Sequence, residues 1–288
     1  MKKNLKLIII LSLILVGLGG RAYADQANSI VSLGADLSQS QKDQILEELS
    51  AEDSLIIEVT NEEEHKYLGA YIDSNKIGSQ ALSNAKLVLT EEGSGLNINV
   101  SENISYITED MFRNALVTAG IKDADVWVTA PFKVTGTGAL TGILKSYESL
   151  TGQTLSEDIK DISNQELVLT YDLSKDNKTD QVTNFMNALK VDFGKNMPET
   201  KAEAKTLILS LAEEYNVKLS DKQADQLADL FMKMKNADID WNKLADTAIE
   251  YTNKAAEFLK SDQGQSFLQS LKEFLVGIID WISEFFQK

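Results

Sequence analysis

The sequence predicts an α+β fold, in which a mixed β-sheet with flanking helices is followed by an all-helical C-terminal half. Thirteen of the 16 glycines lie at or before Gly152. Most stretches that alternate apolar and polar residues, the pattern of half-buried strands, lie in the same half. After Gly152 the chain is nearly free of glycine, and its apolar residues recur at helical spacing. We therefore expect an α+β domain of four or five strands over residues 25–152 and a helical domain over residues 153–288.

The first 24 residues, Met1–Ala24, are typical of a secretory signal peptide. A lysine-rich start precedes the apolar run Leu7–Leu18, and Ala22 and Ala24 supply the small residues of a cleavage site. No later apolar run has the ~20 residues of a spanning helix. We expect cleavage before Asp25 and a secreted, extracellular protein associated with the cell envelope. An uncleaved N-terminal membrane anchor is the alternative.

The mature chain is strongly acidic, since 24 basic residues stand against 44 acidic ones, a net charge of about −20. Nucleic acid is excluded as a partner, because binding a phosphate polyanion requires clustered lysine and arginine, and Arg113 is the one arginine after the signal peptide. The chain has no cysteine, which excludes disulfides, thiol catalysis and thiolate metal sites. The excess carboxylates could attract divalent cations, or they could serve solubility alone.

The first elements are indicated by local signals. Ile30–Leu33 is a strand candidate. Ser38 and Gln41 have the spacing of a capping box, which predicts a helix with an inward apolar face at Ile45, Leu46 and Leu49. The apolar run Leu55–Val59 then predicts a buried strand.

A second capping box, Thr60 with Glu63, predicts a short helix through Leu68 that Gly69 ends in a left-handed conformation. Lys86–Thr90 and Leu96–Val100 alternate apolar and polar residues around a glycine-containing turn, which predicts a β-hairpin.

Thr108 predicts the start of a further helix that Gly120 closes, with an inward face at Met111, Phe112, Ala115, Leu116 and Ala119. A strand, Asp125–Ala130, follows.

The glycine-rich segment Gly136–Gly142 comes directly before a predicted helix, as a nucleotide-binding turn would. It matches neither nucleotide motif, because Thr141 takes the place of a required dinucleotide-site glycine and Ile143 that of the P-loop lysine. Gly138, Gly142 and Ser146 instead recur every four residues, which predicts a helix face without bulk on which another backbone packs closely.

In the helical half, a capping box at Ser220 and Gln223 begins one helix and Pro198 fits the first turn of another. The last helix, Gln265–Phe286, has a broad apolar face that either docks on the helical half or contacts a partner. The helices are predicted at about 156–170, 178–192, 199–215, 221–235, 241–260 and 265–286.

Four long stretches between Val31 and Trp241 carry a family resemblance: VSLGADLSQSQK, VTNEEEHKYLG, NALVTAGIKDADVWVTAPFKVTGTGALTGILKSYE and LSDKQADQLADLFMKMKNADIDW. They resemble the YpuA-like exported bacterial proteins, domain-of-unknown-function family 1002. The resemblance implies an exported protein of a Gram-positive-type bacterium, and it supplies no activity, ligand or catalytic residue. The segment Gln265–Phe286 lies outside it.

The motifs that could carry chemistry are incomplete. The single histidine, His65, forms one Glu-x-x-His pattern with Glu62, whereas a di-iron site needs two, so we expect its ring on the solvated side of the helix. Ser83 and Lys86 have a Ser-x-x-Lys spacing, but Lys86 enters a β-patterned run instead of a helix. Paired carboxylates are too abundant to single out a glycosidase site. No cofactor and no metal site is predicted.

The sequence thus favours a non-enzymatic binding or interaction protein of the cell envelope, whose partner is a cell-wall polymer or an envelope protein. The alternative is an exported hydrolase that acts on a cell-wall or glycan substrate with carboxylate or Ser/Lys catalysis. Polar groups at a capped helix start and beside the glycine-rich turn are the candidate binding residues: Asn61, Glu64, Thr135, Thr137 and Thr141.

Overall fold

The computed structural model describes residues 28–254, and five strands in this range form one mixed sheet. The strands are β1 (Ser29–Gly34), β2 (Leu55–Val59), β3 (Asn84–Leu89), β4 (Leu96–Val100) and β5 (Ala124–Thr129). The predictions for the signal peptide and for the helix Gln265–Phe286 lie outside the described residues.

Helices flank the sheet and make up the chain after Gly152, which confirms the predicted α+β fold with a helical C-terminal half. The first group comprises α1 (Gln39–Glu48), α2 (Asn61–Leu68), α3 (Ser74–Ile77), α4 (Glu109–Thr118) and α5 (Ala139–Thr151). The second comprises α6 (Glu157–Leu173), α7 (Thr179–Lys195), α8 (Lys201–Glu214), α9 (Asp221–Asn236) and α10 (Trp241–Lys254).

The predicted helix starts are confirmed where a capping side chain was recognised. Ser38, Thr60 and Ser220 each accept a hydrogen bond from the third backbone N–H of their helix, and the side chain of that third residue accepts one from the backbone N–H of the cap. Thr108 caps α4 by accepting a hydrogen bond from Met111 N, without a bond in return, and Gly120 after the helix has a φ of 80°.

Two local predictions were wrong. Gly69 has a φ of −64°, in the right-handed region, because the chain turns back through bonds from Tyr71 N and Ile72 N to Leu68 O instead of a left-handed residue. Pro198 lies before α8, since Thr200 caps the helix and Lys201 is its first residue.

The strand order is β2-β1-β3-β5-β4, and β3 is antiparallel to both of its neighbours. The other four strands run parallel to one another. The carboxyl ends of β1, β2, β4 and β5 therefore meet at one edge of the sheet, which we call the carboxyl edge. Loops at this edge of a parallel sheet are where ligand sites usually lie.

The sheet topology corrects two strand predictions. β3 and β4 do not form a hairpin, because β5 lies between them and pairs with both. Leu55–Val59 forms a strand but is not buried: β2 is an edge strand, and Leu55 and Ile56 are 52% and 46% exposed.

Each face of the sheet is covered by helices, and the two coverings differ in size. On one face, Ile45 of α1 and Leu49 directly after the helix pack against Val31 and Leu33 of β1. On the other face, α4 and α5 separate the sheet from the helical half. A single cluster of buried side chains runs through this second layer from the strands to α10, across Gly152. The division into two domains at residue 152 stays a prediction.

The small-residue face of α5 allows the close approach that was predicted, although the nearest atoms belong to the side chains of Ser32 and Val59 instead of another backbone. A β-carbon at Gly142 would lie 2.4 Å from Ser32 Oγ of β1, closer than atoms can approach, and Ser146 is fully buried one turn later. The glycine-rich segment therefore serves close packing of α5 on β1.

A buried ion pair joins the helical half to the sheet layer. Lys190 Nζ of α7 lies 2.6 Å from Glu166 Oε1 of α6, and both side chains are fully buried. Residues of α4 complete the set: Lys190 Nζ donates to Asn114 O at 2.8 Å, and Thr118 Oγ1 donates to Glu166 Oε2 at 2.5 Å. Burial lowers the pKa of Lys190, and the nearby Glu166 carboxylate opposes that effect.

We predict that Gly142→Ala lowers the free energy of unfolding by about 1–3 kcal/mol, because the added methyl group overpacks the contact with Ser32. At an exposed helix position the same change would be stabilising, by up to about 1 kcal/mol. Urea denaturation would give the sign. Ser149→Ala on the exposed face of α5 is the control, with an expected change below about 0.5 kcal/mol, and a stabilised Gly142→Ala would contradict the packing argument.

We predict that Glu166→Gln lowers the free energy of unfolding by about 3–5 kcal/mol, because it leaves the buried Lys190 ammonium without a compensating charge. Glu157→Gln is the matched control, since Glu157 pairs with Lys66 at the surface and its loss should cost less than about 1 kcal/mol. Equal unfolding midpoints for the two variants would show that the buried pair contributes no more to stability than the surface pair does.

Candidate functional site

At the carboxyl edge, hydrogen bonds join the loop after β1 to the segment before β3. Asn84, the first residue of β3, accepts a bond from Gly34 N at 3.0 Å and donates to Leu82 O at 2.9 Å, so it links the end of β1 to the start of β3. Asp36 Oδ2 accepts from Ala81 N at 2.7 Å in the same region. These bonds fix the loop after β1 and the segment before β3, beside which the candidate residues lie.

Asn61 and Glu64 stand at this edge because α2 begins directly after β2. The capping box of Thr60 and Glu63 sets the helix start, and the next position, Glu64, then points inward. Glu64 is only 4% exposed. Asn61 is half-buried, and its Nδ2 donates to Gly78 O at 3.4 Å.

Glu64 packs against the glycine-rich turn at the start of α5. A β-carbon at Gly138 would lie 2.0 Å from Glu64 Oε1, so only glycine leaves room for the carboxyl group. Gly138 offers no side chain to cap α5. The structure therefore brings together one residue of the α2 start and the turn before α5, the two regions that the sequence singled out.

The three threonines lie along this turn with different accessibility. Thr135 is partly exposed, and its hydroxyl lies 3.2 Å from that of Thr137. Thr137 and Thr141 are buried, and the Thr141 hydroxyl has no hydrogen-bond partner within residues 28–254. The assignment of Asn61, Glu64, Thr135, Thr137 and Thr141 as binding residues stays a prediction. Of these five, Asn61 and Thr135 retain access to solvent.

Burial raises the pKa of Glu64 to about 7, with a smaller raising effect from the Asp36 charge and an opposing hydrogen bond from Asn61. A carboxyl group with this pKa is divided between its acid and its carboxylate form near neutral pH. Such a group could donate or accept a proton, as a general acid does. Its burial behind Gly138 keeps it from direct contact with a large substrate.

The other candidate motifs take structural roles. His65 Nε2 lies 2.9 Å from Gly78 O and the residue is half-buried, so the expected solvated ring was wrong: the chain after α3 folds back over it. The Lys86 ammonium donates to Leu49 O and Ser50 O at 2.8 and 2.7 Å, at the end of α1. Lys86 is thus committed to backbone carbonyls instead of a serine nucleophile. In the described range 28–254, no three or more histidine and acidic side chains are grouped to hold a metal ion.

Two exposed aromatic side chains at the carboxyl edge were missed by the sequence analysis. Tyr106 is 50% exposed in the loop after β4, and Phe132 is 47% exposed in the loop after β5. Isolated aromatic residues in loops have no periodicity to mark them. Their position in the loops that follow β4 and β5 is the signal that could have found them.

The two loops are held together by backbone hydrogen bonds. A parallel bridge pairs Ile104 with Val134, through Val134 N to Asn103 O at 2.8 Å and Ser105 N to Val134 O at 2.9 Å. Tyr106 follows one side of this bridge by two residues, and Phe132 precedes the other by two. We call Tyr106, Phe132 and Thr135 the edge surface.

A model of the family described as "Protein of unknown function (DUF1002)" matches residues 33–251. The protein named "Uncharacterized protein YpuA" of Bacillus subtilis (strain 168) is 44% identical over 268 residues, which cover 92% of each chain. These findings confirm the family resemblance drawn from the sequence. No solved structure matches the chain significantly. No helix within residues 28–254 is both long enough and apolar enough to cross a membrane.

We predict that Glu64→Gln changes the pH dependence of stability. The pKa of Glu64 is about 7 in the folded protein, against an ordinary value of 4.5. The protonated carboxyl group therefore makes its full contribution to folding stability below pH 4.5, and this contribution is lost as the pH rises through 7. Urea denaturation at a series of pH values would give the free energy of unfolding of both proteins. Between pH 4.5 and pH 8 the wild type should lose about 3 kcal/mol more of this free energy than the variant does. Glu62→Gln, at an exposed position of the same helix, should track the wild type. Parallel curves for Glu64→Gln and the wild type would contradict the raised pKa.

Proposed function

The chain belongs to the DUF1002 family of proteins of unknown function, and from its own surface we propose that it is an exported, non-enzymatic binding protein of the cell envelope whose ligand is a cell-wall polymer. Export rests on the features of Met1–Ala24, which have the basic start, apolar run and cleavage site of a signal peptide.

The edge surface is the observation that carries the binding proposal. Tyr106 and Phe132 are two of the six large apolar side chains that are strongly exposed within residues 28–254, and both lie at the same edge of the sheet. Aromatic side chains dominate binding surfaces because they offer a large contact area, and tyrosine adds a polar hydroxyl group. Exposed aromatic residues at the ligand-binding edge of a sheet therefore favour a binding role.

The rigidity of the two loops supports the same role. The bridge between Ile104 and Val134 fixes both backbones, and Asn103 Nδ2 donates to Ala130 O at 2.7 Å, which ties the loop after β4 to the end of β5. The Tyr106 ring also packs on Tyr171 of α6, with ring centroids 5.3 Å apart. A surface that is ordered before binding loses little conformational entropy when a ligand arrives.

The charge of the protein favours an uncharged polymer. A net charge of about −20 repels polyanions at low ionic strength, so the neutral glycan strands of a wall are better partners than anionic polymers. The positions of the two rings on either side of the bridge suit an extended ligand. An envelope protein is the other partner that the sequence left open.

One observation favours a second candidate function, an exported hydrolase that acts on wall glycan. Burial raises the pKa of Glu64 to about 7, the charge of Asp36 adds a smaller raising effect, and a pair of carboxyl groups is the machinery of glycoside hydrolysis. Against this, Glu64 is buried under Gly138. Release of soluble wall fragments by the wild type, and its loss in Glu64→Gln, would favour the hydrolase.

We predict that Tyr106→Ala combined with Phe132→Ala reduces binding to isolated cell-wall sacculi at least about tenfold, which corresponds to about 1.4 kcal/mol. The mature chain Asp25–Lys288 would be co-sedimented with sacculi and with neutral liposomes, each with and without calcium. Wild-type protein should pellet with sacculi and release no fragments.

Leu209→Ala is the matched control, because it removes an exposed apolar side chain from α8, in the helical half. It should leave binding unchanged, and thermal melts should show all variants folded. Undiminished pelleting of the double variant, or no pelleting of the wild type, would overturn the proposal. In the second case an envelope protein becomes the expected partner.

A further inference from the structure

A cleft of about 210 Å³ opens on the helical half, between the segment after α2, the end of α6 and the start of α9. The segment after α2 contributes Tyr71, Ile72 and Asp73, and the other walls come from residues 168–175 and 220–226. None of the candidate residues from the sequence lines it. The cleft is smaller than the roughly 300–1,000 Å³ of pockets for drug-sized ligands, so it suits one ring and not an extended molecule.

The floor of the cleft is apolar and fixed. Val168 is buried and packs with Ile72 in a cluster that joins α2 and α3 to α6, and Leu169 beside it belongs to the main core. Tyr71 is held by its hydroxyl, which donates to Asp161 Oδ1 at 2.6 Å and accepts from Lys233 Nζ at 3.1 Å. The floor therefore exists before any ligand binds.

The rim of the cleft is polar and balanced in charge. Two aspartates, Asp73 and Asp172, face two lysines, Lys175 and Lys222. Asp172 accepts hydrogen bonds from Lys175 Nζ at 2.6 Å and from Gln223 Nε2 at 3.2 Å, so this part of the rim is already ordered.

Two rim side chains offer hydrogen-bonding groups to a ligand. Lys222 and Gln226 have no hydrogen-bond or ion-pair partner within residues 28–254, and both project from the start of α9 into the lining of the cleft. An ammonium group supplies donors, and a side-chain amide supplies donors and an acceptor.

From this combination we propose that the cleft binds a single pyranose unit of a glycan. A pyranose ring presents C–H groups on its faces, which suit the floor of Ile72, Val168 and Leu169, and hydroxyl groups at its edge, which both donate and accept hydrogen bonds. Amide, carboxylate and ammonium groups in the rim match that edge. The balanced rim excludes a ligand of high charge, because a phosphate group would meet two aspartates and a calcium ion two lysines.

This inference goes beyond the proposed function, because it concerns a second site and does not require the edge surface to bind the wall. The edge surface was argued from exposed aromatic side chains on the loops after β4 and β5. The cleft is argued from its own floor and rim in the helical half.

The test is to titrate the mature chain with N-acetylglucosamine and with its tetramer, and to measure binding by isothermal titration calorimetry and by saturation-transfer NMR. Inorganic phosphate and calcium chloride are the comparison probes. We expect saturable binding of the sugar in the millimolar range, tighter for the tetramer. Lys222→Ala and Gln226→Ala should each weaken it at least fivefold.

Lys218→Ala is the matched control, since Lys218 is an exposed lysine just before the same helix and does not line the cleft. It removes the same charge and should leave the affinity unchanged. No saturation by either sugar, equal affinities in all variants, or Lys222-dependent binding of phosphate or calcium would each overturn the proposal.

The two proposals fail in different ways. If sugar binding depends on Lys222 and Gln226 but the protein does not pellet with sacculi, the wall-binding function fails and the cleft stands. If the protein pellets with sacculi through Tyr106 and Phe132 but neither sugar binds, the cleft proposal fails and the function stands.

Discussion

The buried ion pair between Glu166 and Lys190 is the constraint on which the architecture depends, because it joins three helices of different origin. α6 and α7 belong to the helical half, whereas α4, which completes the pair through Asn114 and Thr118, connects two strands of the sheet. Two buried charges tolerate only a relative position in which they meet and their remaining bonds are satisfied. The helix α6 that carries Glu166 also carries Tyr171, which supports the edge surface, and one wall of the cleft.

A second constraint acts at the interface of α5 with the sheet. Gly142 lets the helix approach β1, and Gly138 leaves the space that Glu64 fills. The close approach has an electrostatic consequence, since the carboxyl group of α2 is enclosed and its pKa rises to about 7. The small residues thus account both for the tight layer and for the perturbed acid, and the perturbed acid by itself is no sign of catalysis.

The sequence predicted what local chemistry determines. The structure confirms the predictions that depend on only a few neighbouring residues: the capping residues Ser38, Thr60 and Ser220 and the spacing of Gly138, Gly142 and Ser146.

The predictions that depended on contacts with distant parts of the chain were wrong. β3 pairs with β5, whose residues lie about 40 positions later, so the alternating runs on either side of a turn did not reveal that another strand separates them. Leu55–Val59 is apolar enough for an interior strand, yet composition does not state how many neighbours a strand has. The enclosure of Glu64 depends on a glycine more than 70 residues away.

The two proposed surfaces meet at Tyr171. Its ring packs against Tyr106 of the edge surface, its other contacts include Lys175 Nζ at 4.6 Å from the ring centroid, and both residues line the cleft. On the two proposals together, a single sugar would contact only the cleft, whereas a glycan chain with one unit in the cleft would also contact Tyr106 through its neighbouring units. Contacts made in this way by one chain add their free energies with little further loss of translational freedom, so the affinity for a polymer exceeds that for its unit. The two proposals together therefore predict that a single sugar binds more weakly than a long glycan.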